Sequence, residues 1–173
     1  MKYTYENNII KGTSDTTFSP KTNLTRGMMV TILYRMENSP KISGAPKFPD
    51  VQDSSKYYYK AVKWAADNKI VSGYDNGKFG PNNNITREQL AVILYNYARY
   101  KGKDLSKTDD LKGFSDSNKV ASWATKQVKW AVGSGVITGN ENKDGTKTLN
   151  SKGNATRAEV AAMIQKYIIK VGK

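Results

Sequence analysis

The chain of 173 residues has no cysteine and no histidine. Without cysteine, a fold stapled by disulfides, a thiolate zinc site and a cysteine nucleophile are all excluded. Without histidine, the commonest metal ligand and general base are gone, and with them any Ser-His-Asp arrangement. Carboxylates, lysines and tyrosines are what remains for catalysis. The composition therefore leans away from an enzyme, and no catalytic residue, metal site or cofactor is assigned. There is also no apolar run of the ~18 residues that a membrane span requires, so no membrane insertion is expected. The opening residues, Met1 to Asn8, are polar and do not read as a signal peptide. Either the protein stays inside the cell or the chain is a fragment of a longer exported one.

Negative charge is in short supply as well. Fifteen Asp and Glu stand against 28 Lys and Arg, a formal charge of +13. That balance favours a polyanionic partner, whether nucleic acid, an anionic membrane surface or an acidic polysaccharide. The plainer alternative is a basic surface that aids solubility. The lysines are scattered, so no basic tail or arm is visible.

What the chain has is repetition. Leu24-Thr25-Arg26, Ile85-Thr86-Arg87 and Ala155-Thr156-Arg157 each open a run with apolar residues at +3, +6, +7 and +10 from the arginine. These are Met29, Ile32, Leu33 and Met36, then Leu90, Ile93, Leu94 and Tyr97, then Val160, Met163, Ile164 and Tyr167. Such spacing is one face of an amphipathic helix, and three copies of it mark a repeat protein. Upstream of the arginines lie Gly12, Gly73 and Gly139, at distances of 14, 14 and 18 residues. The third loop is therefore longer by four residues, and it has Leu149 and Ser151 where the others have Phe and Pro. Further upstream, Phe48-Pro49-Asp50 matches Phe114-Ser115-Asp116, and Val62-Lys63-Trp64-Ala65 matches Val128-Lys129-Trp130-Ala131, each pair 66 residues apart. A glycine just after this second helix suits a C-terminal cap with positive φ.

Aligning Gly12 with Gly73 places Met1 on Val62, so the first copy is expected to lack the Phe-x-Asp segment and half of its upstream helix. Tyr3, Ile9 and Ile10 would then lose cover, leaving at most two competent grooves and a tendency to self-associate through the N-terminal edge. Thr86 with Gln89, and Thr156 with Glu159, fit the capping box; Thr25 is followed by Gly27 and Met28, so the first helix should be capped less firmly. Residues 39–46 and roughly 102–112 read as linkers. The copies are bounded at 1–38, 46–101 and 112–171. The expected fold is all-α, with three helix–loop–helix repeats whose Thr-Arg helices pack around a pseudo-threefold axis.

These motifs resemble the S-layer homology domains, which usually occur as three consecutive repeats. The residues that carry the resemblance are Phe48-Pro49-Asp50, the loop Gly73-Tyr74-Asp75-Asn76-Gly77-Lys78-Phe79-Gly80-Pro81, Ile85-Thr86-Arg87-Glu88 and Ala155-Thr156-Arg157-Ala158-Glu159. The resemblance covers essentially the whole chain. It implies non-covalent anchoring at the bacterial cell surface, through a secondary cell-wall polysaccharide that often bears an anionic pyruvyl ketal. It also implies a three-armed fold around a central three-helix core, and sugar-binding grooves between neighbouring repeats. The Thr-Arg arginine and residues near the loop glycine would contribute to those grooves.

The ligand-binding candidates are thus Arg26, Arg87, Arg157, Gly12, Gly73, Gly139, Asp50, Asp116, Trp64 and Trp130. A guanidinium at a helix N-terminus, where open amides already favour an anion, suits a pyruvyl carboxylate. On that reading Arg87→Ala and Arg157→Ala weaken binding with little loss of stability. The structural alternative is a salt bridge, for example Arg87 to Asp50. Asp50 and Asp116 could bind ligand or cap a helix. Asp75 suits a turn. The three glycines serve backbone geometry or allow close approach of a ligand. Trp64 and Trp130 could stack on sugar, but at helical spacing beside alanines they fit a core with an exposed edge. Tyr57, Tyr58 and Tyr59 cannot all face inward on a helix, so one or two should be exposed.

Two rival functions remain open. A basic nucleic-acid-binding protein would want Lys and Arg clustered on one recognition helix, and the Thr-Arg helices carry few. A glycan-active enzyme needs paired carboxylates. Asp109-Asp110 lie in a linker, and the other acids recur once per repeat, which fits architecture better than a unique active site, so this alternative is an accessory wall-binding part of a glycan-active enzyme whose catalytic domain is absent here.

Overall fold

The computed structural model describes residues 17–172. Gly12, the segment Tyr3–Ile10 and the expected edge of the first copy lie outside the described residues. Five α-helices are described: α1 Arg26–Met36, α2 Tyr59–Asp67, α3 Arg87–Tyr100, α4 Thr125–Gly133 and α5 Arg157–Lys170. Two 3-10 turns, Ser117–Lys119 and Ser122–Ala124, lead into α4. Among the described residues the fold is all-α apart from one antiparallel pair, β1 Asn140–Glu141 with β2 Lys147–Thr148. That pair lies in the third loop, where the four extra residues are taken up as a small hairpin turning at Gly145, φ +79°.

Each Thr-Arg helix begins at its arginine, as the repeat demands. Thr86 and Gln89 form a complete capping box, the hydroxyl accepting from the Gln89 amide at 3.3 Å and the Gln89 side chain accepting from the Thr86 amide at 3.4 Å. Thr25 accepts from the Met28 amide at 3.2 Å, and methionine cannot return the bond. The ends of α2 and α4 are also equivalent. Gly135 takes φ +75° just after α4, and Lys69, 66 residues earlier, takes φ +57°. The turn thus demands left-handed backbone in both copies, and only one of them uses the residue type that adopts it freely.

The described residues fall into two compact units: the chain up to Ile85 with Thr156–Ala158, and Thr86–Ala155 with the chain from Glu159 onward. In the first, α1 packs on α2. Met29, Val30, Ile32 and Leu33 are buried, as are Ala61, Val62 and Ala65. The rings of Tyr34 and Trp64 lie 5.7 Å apart, and those of Phe48 and Phe79 lie 5.4 Å apart. In the second unit, α3 packs on α4. Tyr95 meets Trp130 edge-on at 5.4 Å, and Tyr97 meets Tyr167 of α5 at the same distance. All the +3, +6, +7 and +10 residues are buried except Met36, which is half-buried in the last turn of the short α1. Burial of each large side chain of this kind contributes roughly 1.5–3 kcal/mol.

Candidate functional site

The three arginines make one contact three times. Nε of Arg26 donates to the carbonyl of Phe79 at 2.9 Å, Nε of Arg87 to that of Leu149 at 2.8 Å, and Nε of Arg157 to that of Phe18 at 2.9 Å. In each case the acceptor sits in the loop of the next copy, with the third copy returning to the first. The backbone repeats the pattern. The arginine amides donate to Asn83, Gly153 and Thr22 at 2.9–3.0 Å, and the next amides, of Gly27, Glu88 and Ala158, donate to Pro81, Ser151 and Pro20 at 2.8–3.0 Å. Isolated antiparallel bridges at Thr25 and Asn84, Thr86 and Asn154, and Asn23 and Thr156 complete each junction.

This geometry corrects two expectations. The first amides of these helices are engaged by loop carbonyls, so the helix N-termini are not open anion sites. The arginines are also buried, only 4–6% exposed. Burial lowers each guanidinium from its ordinary pKa. Tyr74 and Asp50 oppose that effect at Arg26, and Glu159 with Asp116 opposes it at Arg87. The partner of Arg87 is Glu159, at 2.9 Å, rather than Asp50. Arg26 lies instead between two rings, 4.5 Å from the centre of Tyr74 and 4.8 Å from that of Phe79. Arg157 stands 4.9 Å over the ring of Phe18. Removing such a side chain would strip the loop of its anchor, so a stability cost replaces the expected neutrality.

Asp50 and Asp116 hold the same loops from the other side. The carboxylate of Asp50 accepts from the amides of Phe79 at 2.9 Å and Gly80 at 2.7 Å. That of Asp116 accepts from Leu149 at 2.7 Å and Asn150 at 2.9 Å. Neither aspartate makes a helix cap with its side chain; Asp116 precedes a 3-10 turn without capping it. One loop residue, Phe79 or Leu149, is thereby gripped through its N–H by the aspartate and through its C=O by the arginine. Gly73 and Gly139 complete the arrangement. A Cβ on Gly73 would come within 2.8 Å of the Phe48 ring and of the Lys78 carbonyl. One on Gly139 would come within 2.5 Å of the Phe114 ring, at a φ of +70°. The Phe-x-Asp motif and the loop glycine are therefore a single packing unit. Asp75 occupies the turn, closed by Gly77 N–H to the Tyr74 carbonyl at 2.9 Å.

The tryptophans lie elsewhere. Trp64 is 4% exposed and Trp130 fully buried, so neither offers a face to a sugar, and the indole N–H of Trp130 has no hydrogen-bond partner. Of the tyrosine run, Tyr57 is exposed and Tyr58 buried. Both precede α2 rather than lying on it. Arg26, Asp50 and Gly73 thus converge on the loop of the second copy, and Arg87, Asp116 and Gly139 on that of the third. Arg157 reaches the loop of the first copy.

Sequence reasoning missed Glu88, which is 3% exposed. Its carboxylate accepts from the Ala121 amide at 3.1 Å and from Lys152 at 2.8 Å. Beside it is a shallow indentation, with room for about one water molecule, lined by Arg87, Glu88, Val128, Ile137, Leu149 and Ser151. Ser151 lies where the other loops have proline, and its hydroxyl faces the Lys119 carbonyl at 3.4 Å. The missing proline was the one sequence signal for this opening. Among the described residues no group of three or more acidic side chains could hold a metal ion, and no helix is long and apolar enough to cross a membrane.

A family profile described as an S-layer homology domain matches residues 1–28, 47–91 and 113–161. An endoglucanase of a Bacillus species is 33% identical over 99% of this chain and 17% of its own length. A surface-layer 125 kDa protein of Lysinibacillus sphaericus is 29% identical over 92% of this chain and 13% of its own length. A cellulosome-anchoring protein of Acetivibrio thermocellus is 32% identical over 60% of this chain and 22% of its own length. The chain therefore spans less than a quarter of each of these relatives.

Proposed function

The chain belongs to the S-layer homology domain family, and from that premise we propose that it is a binding module, not a catalyst, holding a larger surface protein on an anionic secondary wall polysaccharide. Domains of this family anchor proteins to the cell wall, which assigns the chain to the bacterial surface. Enzymatic names among the relatives belong to proteins of which this chain matches a small part. The three-copy division at 1–38, 46–101 and 112–171 is part of the same proposal.

The observation that carries the reading is the recurrence of a buried guanidinium at each junction between one copy's helix and the next copy's loop. In the second unit that junction opens into the indentation beside Arg87 and Ser151, with Lys152 at its edge, 57% exposed on its side chain. Arg87 and Ser151 present a buried cation and a hydroxyl there, and Lys152, paired with the lining carboxylate of Glu88, is the exposed cation that a ligand carboxylate such as a pyruvyl ketal would meet. The loop residues Gly73 and Gly139, with Asp50 and Asp116, shape the wall that faces the sugar. Trp64 and Trp130 support it from the core.

The test is sedimentation with sacculi of the source bacterium, before and after acid extraction of the polysaccharide, with duplex DNA as a parallel arm. Binding should be lost on extraction and absent on DNA. Removing the pyruvyl group should weaken it severely, and raising salt only modestly, because bulk attraction is screened over ~8 Å at physiological salt while a pair in a groove is screened less. Equal binding to extracted sacculi, or a steep salt slope with no dependence on pyruvate, would sink the proposal.

A further inference from the structure

We propose that Tyr57 and Trp123 are sugar-stacking platforms, each taking the apolar face of a pyranose ring of the wall polysaccharide beside the arginine junction of its own unit. This rests on the glycan-binding reading above and adds the residues that would grip uncharged sugar.

Four large apolar or aromatic side chains are well exposed among the described residues: Tyr57 at 54%, Trp123 at 57%, Tyr100 at 40% and Ile169 at 46%. Tyr100 stacks on Tyr97 near the end of α3, and Ile169 lies in the last turn of α5. Tyr57 and Trp123 are different. They stand 66 residues apart, the offset that superposes Phe48 on Phe114 and Trp64 on Trp130. They therefore occupy one position of the repeat, filled by two different aromatics. A single exposed aromatic needs no explanation. The same exposed position kept aromatic in both copies, with a change of ring, is what a flat apolar binding surface requires and what core packing does not.

The surroundings place both rings near the arginine junctions. The residue after each is buried, Tyr58 at 7% and Ala124 at 0%, which turns the platform residue outward. Tyr58 meets Tyr57 edge-on at 5.1 Å. Its ring lies 3.2 Å from where a Cβ on Gly27 would be, beside Arg26. In the second unit the equivalent of Gly27 is Glu88, and its carboxylate holds the amide of Ala121, two residues before Trp123. The carbonyl of Ala121 is held in turn by the Thr125 hydroxyl at 3.1 Å. Trp123 thus rises from a backbone tied to the residue that follows the arginine, and Tyr57 adjoins a ring packed against the equivalent residue. A pre-organised aromatic of this kind binds an apolar sugar face with little ordering cost.

Fluorescence tests it directly. Trp123 is the exposed one of the three tryptophans, Trp64 and Trp130 being buried. Titration with acid-released wall polysaccharide should change the emission of the parent protein and not that of Trp123→Phe. By calorimetry, Trp123→Ala and Tyr57→Ala should each weaken binding about 3- to 10-fold, the span that aromatic contacts normally give. Trp123→Phe should stay within about twofold of the parent, and thermal midpoints should not move. If the parent binds and both alanine variants bind equally well, the platforms are wrong and the anchoring reading stands. If the folded parent does not bind the polysaccharide, both fall. Binding that depends on Trp123 but goes to extracted sacculi would overturn the assignment of the rings to this polymer.

Discussion

Arg87 shows how one side chain can serve the loop and the site at once. Its Nε bond to Leu149, its ion pair with Glu159 and its backbone bond to Gly153 all converge on the third copy. A buried hydrogen bond with a charged partner is worth about 1.5–3 kcal/mol. Arg87→Ala should therefore lower stability by about 3 kcal/mol, seen as a reduced urea midpoint, and weaken wall binding through the loosened loop. Arg87→Lys keeps the charge but not the planar fork, and should fall between the two. An unchanged urea midpoint in Arg87→Ala would show that the loop is held by other contacts. The recurrence of these arginines was legible in the sequence. Their burial was not, because the acceptors are main-chain carbonyls 53 and 62 residues away for Arg26 and Arg87, and backbone groups leave no mark in residue type.

At the scale of the element, the helix starts separate cleanly. α3 has a reciprocal capping box and α1 a one-way cap. Thr86→Ala and Thr25→Ala should each cost about 1 kcal/mol, since each loses one amide-to-hydroxyl bond, and Gln89→Ala, which removes the return bond from the Thr86 amide, should cost α3 about a few tenths of a kcal/mol. Denaturant melts of the three variants read these costs, and an unchanged midpoint in Gln89→Ala would remove the significance of the box. This contrast could be read from Gln89 and Met28 alone, because a cap is a local event within four residues. The third loop could not be read so fully. Its four extra residues were visible as a length, and their pairing as Asn140–Glu141 with Lys147–Thr148 appears only in the folded chain.

For the whole molecule, the lack of histidine and cysteine leaves no side chain with an ordinary pKa between about 5 and 8. Among the described residues, the carboxylates that depart from their ordinary value of 3.8 are Asp53, Asp104, Asp110 and Asp144, all lowered. In three the largest cause is a hydroxyl two residues on, of Ser55, Ser106 and Thr146; in Asp110 it is the Lys112 amide. A depressed carboxylate contributes stability above its unfolded pKa and loses it as pH falls through the folded one. The thermal midpoint should accordingly be flat from about pH 5 to 8 and decline only below about pH 4. A midpoint that moves between pH 6 and 8 would reveal a further group whose titration is linked to folding.

Sequence by itself determined the repeat, the helical class, the apolar faces and the family. Those depend on periodicity and on motifs that recur within a short stretch of chain, where each residue's neighbours are its neighbours in sequence. Tertiary structure alone decided what Arg26, Asp50, Gly73 and their counterparts do. Each meets a backbone group or ring brought in from another segment. It also decided which aromatics are available. Trp64 and Trp130 recur as conspicuously as Tyr57 and Trp123, but the first pair lies under the Thr-Arg helices and the second outside them. Exposure follows from what packs above a residue, and a repeat position says only that two residues share the same answer.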